Sequence, residues 1–127
     1  MVLRLLLAAA LGAVIGYQRE RAGKPAGLRT HILICVGAAL FTIASLYGFG
    51  AAADPARVAA GIVAGIGFLG AGAIVHTGEG IVAGLTTAAT IWAVAGIGLA
   101  VGAGLYLGSA VATALILVVL LLPHPIR

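Results

Sequence analysis

The sequence predicts an all-α, polytopic membrane helix bundle of about five transmembrane helices with a glycine-rich third span. Three observations carry that expectation. Of the 127 residues, 63% are hydrophobic and only 8% are charged, whereas a soluble domain carries about 25% charged residues. The charges cut the chain into apolar runs near the length a bilayer demands, about 17–25 residues per helix. The 20 glycines are more than twice the usual share of about 7%, which suits helices that associate by close backbone approach. A mean hydropathy of +1.26 leaves too few polar side chains to cover a solvated surface, which excludes a secreted disulfide domain, a disordered chain and a cytosolic enzyme. The net charge of +4 does not mark a nucleic-acid partner. Four of the seven basic residues crowd one stretch between two apolar runs, the pattern of a cytoplasmic loop facing the lipid bilayer.

Taken in order, the predicted spans are 2–18, 31–49, 57–75, 82–101 and 105–122, a transmembrane domain over 1–122. Residues 123–127 then form a cytoplasmic tail or the start of a linker. The first run reads as a span and not as a cleaved signal peptide, because Arg4 gives only a weak basic flank and the chain continues as a polytopic protein. The second run carries Cys35, a lone cysteine that reads as a small apolar residue on a buried helix. Thr42 and Ser45 make a weak polar pair on it. Asp54-Pro55 predicts the start of the third span, with Asp54 as N-cap and Pro55 at the first helical position. Arg57 lies three residues on and can pair with Asp54. No charge appears from Ile81 to Leu122, a stretch right for two passes, and Gly102-Ala103-Gly104 is the natural turn. The positive-inside rule puts the basic loop in the cytoplasm, the amino terminus outside and the carboxyl terminus inside.

Glycines four apart occur at 12/16, 23/27, 61/65, 80/84, 98/102 and 104/108. No single pair is a reliable dimer motif. The third span, with Gly61, Gly65, Gly67, Phe68, Gly70 and Gly72, is the densest. Glycine weakens a helix by up to about 1 kcal/mol per residue against alanine. It must return a close crossing at the bundle centre, a kink, or backbone carbonyls open to a ligand.

The polar residues are few. Arg19, Glu20, Arg21, Lys24, Arg29, Thr30 and His31 form the candidate functional loop. A loop that only sets topology meets lipid phosphates, whereas Gly23, Pro25 and Gly27 suggest a shaped turn. If the loop folds under the bundle, Glu20 needs a partner, and Arg29 with its planar fork is the candidate. Thr86, Thr87 and Thr90 open the fourth span, followed by Trp92. Their hydroxyls either bond back to carbonyls one turn earlier or form a polar patch facing the third span's glycines. His31 and His76 sit at predicted membrane boundaries, where such residues are usually interfacial. Glu20, Asp54 and Glu79 are the only carboxylates, hence the weak candidate ligands for Mg²⁺. Asp54 lies about 30 Å from the other two across the hydrocarbon, and basic neighbours oppose a site at Glu20 with Glu79, so no metal site or cofactor is assigned. No nucleophile–base pair is visible, so an enzyme is not expected.

Three ordered blocks resemble the MgtC/SapB family. They are Gly16-Tyr-Gln-Arg-Glu-Arg-Ala-Gly-Lys-Pro-Ala-Gly-Leu-Arg-Thr-His31, Asp54-Pro-Ala-Arg-Val-Ala-Ala-Gly-Ile-Val-Ala-Gly-Ile-Gly-Phe-Leu-Gly-Ala-Gly72 and Gly84-Leu-Thr-Thr-Ala-Ala-Thr-Ile-Trp92. The resemblance implies a bacterial inner-membrane protein of about five spans, linked to growth at low Mg²⁺ and to survival of pathogens inside macrophages. It implies either a regulator that binds other membrane proteins, the F-type ATP synthase among them, or a Mg²⁺ transporter. By position it marks Arg19, Glu20, Lys24, Pro25, Gly27, Arg29, Thr30, His31, Asp54, Gly65, Gly67, Phe68, Gly70, Gly72, Thr86, Thr87 and Trp92. Ala83 stands where the family usually has a basic residue. Many members continue into a cytoplasmic domain resembling an ACT fold, whose ligand-sensing role does not carry over to a chain that stops at Leu122-Pro-His-Pro-Ile-Arg127. A regulatory protein acting as a homo-oligomer, most simply a two-fold dimer, is the first expectation. A transporter or channel for Mg²⁺ or another small ion is the alternative.

Overall fold

The computed structural model describes residues 1–50, 52–76 and 82–122. Its helices are α1 (Val2–Arg21), α2 (Leu28–Tyr47), α3 (Pro55–Ala73), α4 (Leu85–Gly102) and α5 (Tyr106–Leu120). The first four have 20, 20, 19 and 18 residues and are long and apolar enough to cross a membrane. At 1.5 Å per residue they reach about 27–30 Å, close to the hydrocarbon thickness of about 30 Å. The helix α5 has only 15 residues, yet it runs the length of the bundle. Tyr106 at its start bonds Arg4 near the start of α1, while Leu117 and Leu121 flank Gln18 and Arg21 at the end of α1.

The turns follow local chemistry. After α1, Gly23 takes φ +73°, Gly23 N–H donates to Glu20 O, and Lys24 N–H donates to Arg19 O. This is the paired closure that lets a left-handed glycine satisfy the last helical carbonyls. The same closure recurs after α4, where Gly104 N–H bonds Val101 O and Leu105 N–H bonds Ala100 O, at the turn expected there. Asp54 caps α3 as its sequence predicts: Oδ1 accepts from Ala56 N–H at 3.0 Å, with Pro55 opening the helix.

The connection between α3 and α4 differs from expectation. The third span ends at Ala73, and Val75–His76 pairs antiparallel with Val82–Ala83, Val75 facing Ala83. The fourth span therefore begins at Leu85 and not at 82. The physical reason lies at Gly84, whose φ of +92° ends the extended segment and whose missing Cβ admits the Ala73 carbonyl. Glu79 and Gly80 of the expected loop lie outside the described residues, as do 123–127.

The helix α2 packs most extensively on α1 and α4. Two glycine pairs explain why. A Cβ at Gly12 would meet Cys35 Cβ and His31 O, both at 2.8 Å, and one at Gly16 would meet Leu28 Cα at 2.8 Å. On the other side, a Cβ at Gly98 would strike Cys35 O, and one at Gly102 would stand 2.7 Å from Ala39 O. Backbone thus meets backbone on both flanks of α2, the mode by which helices associate in lipid. Ala8, Ile15, Cys35, Ala39, Val94 and Val101 fill the core between them.

The glycine-rich third span is not the packing centre that its composition suggests. Only Ile62 and Gly70 of α3 are buried. Gly70 alone packs, against Ala88 of α4, while a Cβ at Gly61, Gly65, Gly67 or Gly72 would meet nothing. Bundle closure uses the sparser pairs on α1 and α4 and leaves the dense series outward.

Candidate functional site

The last turn of α1 delivers Arg19 into the bundle, not to the membrane surface. The helix period sets it on the same face as Gly12 and Gly16, and those two glycines bring that face against α2. Arg19 is only 3% exposed, and its Nη2 donates to Thr87 Oγ1 of α4 at 2.9 Å. His31, in the first turn of α2, is fully buried. Its Nδ1 lies 2.8 Å from Gly27 O. A carbonyl only accepts, so Nδ1 carries a proton. Arg19 Nε, His31 Nε2 and Gln18 Oε1 are buried without a hydrogen-bond partner among the described residues. The sequence reading of His31 as an interfacial residue is corrected: the close α1–α2 approach encloses it.

Glu20 points the other way and is exposed. Its Oε1 accepts from Leu28 N–H at 2.9 Å, and a Cβ on Gly27 would strike that oxygen. Glu20 therefore serves the free amides at the start of α2, where a negative charge also meets the positive end of the helix dipole. This replaces the expected Glu20–Arg29 pair, and Arg29 is exposed. The loop does fold under the bundle, but through a carboxylate-to-backbone bond. The fourth span is reached by Arg19, not by the loop itself. Thr90 Oγ1 donates to Thr86 O at 2.7 Å, so one threonine bonds back along its helix while Thr87 reaches across. Arg21, Lys24, Thr30 and Thr86 are exposed.

Asp54 and Arg57 lie at the opposite end of α2. The Asp54 carboxylate caps α3, and no ion pair joins it to Arg57 among the described residues. Capping satisfies the carboxylate locally, which leaves the arginine to solvent. The same end holds a cluster that sequence reading missed. Arg4 Nε donates to Tyr106 OH at 2.8 Å, and its Nη1 donates to Tyr47 OH at 3.1 Å and Gly102 O at 2.8 Å. The guanidinium lies over both tyrosine rings, 5.5 and 5.9 Å from their centroids. One side chain thus ties α1 to the end of α2 and to the α4–α5 turn. The available signal was a lone charge in an apolar run, with tyrosines at two other helix ends.

Along α3, Gly61, Gly65, Phe68 and Gly72 follow the i, i+4, i+7, i+11 spacing of a single helix face. Phe68 is 80% exposed. Beside that face, a wholly apolar groove of about 530 Å³ runs between α2 and α3, lined by Leu33, Gly37, Phe41, Gly61, Gly65 and Leu69. Trp92 on α4 is also exposed and lines a second groove with Ile62 and Val63.

The MgtC family model matches residues 5–127. The chain belongs to the MgtC family. It is 50% identical over 112 residues to the Escherichia coli protein named "Putative magnesium transporter YhiD", covering 83% of this chain and 52% of that protein. It is 47% identical over 116 residues to Protein MgtC of Salmonella typhimurium, covering 91% and 49%. It is 42% identical over 113 residues to Protein SapB of Bacillus subtilis, covering 84% and 49%. The chain spans about half the length of the curated relatives it matches. No solved structure matches. Family and helices together make this a membrane protein, and none of these relatives bears an enzyme's name. Among the described residues, no group of three or more His, Cys, Asp or Glu gathers to hold a metal ion. Glu20 and Asp54 serve separate helix starts.

Proposed function

We propose that the chain is a magnesium-linked regulatory protein of the bacterial inner membrane that acts through helix contacts with other membrane proteins. Its basic loop and carboxyl end face the cytoplasm and its amino terminus faces outward, in keeping with the positive-inside rule. The observation that carries the reading is the α3 face of Gly61, Gly65, Phe68 and Gly72. It is open, apolar and flanked by a groove, on a helix with only two buried residues. Small residues let a second helix approach that face closely, and the first partner is a second copy in a two-fold dimer. The link to magnesium rests on the name of the Escherichia coli relative.

A second reading, a Mg²⁺ transporter, draws on the name of the Escherichia coli relative. The buried charge at the basic end is the Arg19 cation, which opposes a divalent cation there. Flux into proteoliposomes separates the readings. The regulatory reading predicts Mg²⁺ entry no faster than into protein-free vesicles. Rapid entry that is lost on Arg19→Ala or Thr87→Val overturns it. In nanodiscs, light scattering across a range of concentrations is expected to show a dimer, and a constant monomer mass contradicts the dimer.

A further inference from the structure

The seam between α1 and α5 opens at the basic end into a groove of about 600 Å³. That volume is within the roughly 300–1,000 Å³ of ordinary ligand clefts. Ala13, Val14, Tyr17, Gln18 and Arg21 of α1 line it together with Leu117 and Leu121 of α5. From Ala13 to Arg21 the helix rises about 12 Å, so an open, mostly apolar surface groove, with the Gln18 amide in its wall, ends at the one cation of its lining, Arg21. Arg21 is held at that end. Its Nη1 donates to Tyr17 OH at 2.8 Å, and the guanidinium lies over the Tyr17 ring, 5.6 Å from the centroid. The side chain is exposed and makes no other hydrogen bond among the described residues, so its remaining N–H groups can meet an incoming anion, and a guanidinium grips phosphate oxygens with two parallel bonds. Tyrosine at this level is an interface anchor, with its ring in the apolar layer and its hydroxyl at the headgroups.

We propose that this groove is a binding site for one anionic phospholipid, with the headgroup phosphate on Arg21 and one acyl chain along Ala13, Val14 and Leu117. The charge distribution selects the occupant: one cation, Arg21, in a groove otherwise lined by apolar side chains, Tyr17 and the Gln18 amide matches an anionic head with an apolar tail. A bound lipid also fills the gap beside α5, the shortest helix. The site is separate from the α3 face and from the Arg19–Thr87 contact, so it stands or falls apart from the regulatory reading.

The test counts lipids that stay on the protein. The chain is reconstituted in nanodiscs of phosphatidylcholine doped with phosphatidylglycerol, exchanged into detergent and weighed by native mass spectrometry. One phosphatidylglycerol is expected to remain per chain. Arg21→Gln is expected to reduce its retention about fivefold, the scale of one basic contact at an anionic surface. Val14→Trp, which fills the groove at an already exposed position, is expected to reduce it as strongly while Arg21 stays in place. Arg29→Gln removes equal charge at the same end but outside the groove, and is expected to leave retention unchanged. The proposal is overturned if both Arg21→Gln and Val14→Trp retain lipid like the parent. It is equally overturned if Arg29→Gln loses as much as Arg21→Gln, or if phosphatidylcholine is retained as well as phosphatidylglycerol.

Discussion

Gly98 and Gly102 on α4 have the same spacing as Gly61 and Gly65 on α3, and opposite surroundings. The α4 pair lies against the backbone of α2, where a Cβ would strike the Cys35 carbonyl and crowd that of Ala39. The α3 pair faces open space. Small-residue spacing therefore says that a helix can be approached closely, not by what. In this bundle the inner pairs hold the helices together, and the outer pair is left open.

The largest effect that sharpens this contrast comes from adding side chains to the two pairs. Overpacking a well-filled site costs about 1–3 kcal/mol and occasionally more. Gly98→Ala is expected to lose stability on that scale in detergent unfolding, and Gly98→Leu to prevent isolation of folded protein. Gly65→Leu is expected to unfold within about 0.5 kcal/mol of the parent, as substitutions at open positions do. Equal losses at Gly98 and Gly65 break the comparison.

Next in size is the buried contact between α1 and α4. A hydrogen bond to a charged group contributes about 1.5–3 kcal/mol. Thr87→Val leaves the Arg19 guanidinium without that acceptor and is expected to destabilise on that scale. Arg19→Ala is expected to cost at least as much, and the double change less than the sum, since the two residues touch. Additive losses in thermal unfolding show that the contact does not form.

The smallest effects distinguish a carboxylate cap from an ion pair. Glu20→Ala removes the acceptor for Leu28 N–H and is expected to cost about 1 kcal/mol, the typical value of a helix cap. Arg29→Lys is expected to change stability by less than about 0.5 kcal/mol. A large loss from Arg29→Lys restores the ion pair that the sequence suggested.

What the sequence revealed was what is local. Asp54-Pro55 announced its helix because a cap and its amide are two residues apart, and Gly102-Ala103-Gly104 announced its turn because the chain reverses there. The five apolar runs were legible because bilayer thickness fixes their length. What it hid depends on which faces meet. The Arg19–Thr87 bond joins positions 68 apart, and the Arg4–Tyr106 bond joins positions 102 apart. His31 looked interfacial because no pattern along the chain shows that Gly12 and Gly16 draw α1 over it. The third span's glycines left a close crossing, a kink and a ligand face all open, because composition gives density without direction. The same ambiguity kept Glu20 paired with Arg29 on paper, since charge complementarity along the chain does not register a backbone amide as a competitor.

The most direct test of the outward α3 face is photo-crosslinking in bacterial membranes from single positions. A photoreactive residue at Gly65 or Phe68 samples the α3 face, and one at Leu107 or Leu115 samples exposed α5 as a lipid-facing reference. The account predicts a protein adduct of discrete mass from both α3 positions and only lipid adducts from both α5 positions, with the α3 adduct lost on Gly61→Leu. No protein adduct from α3, or the same adducts from α3 and α5, contradicts it.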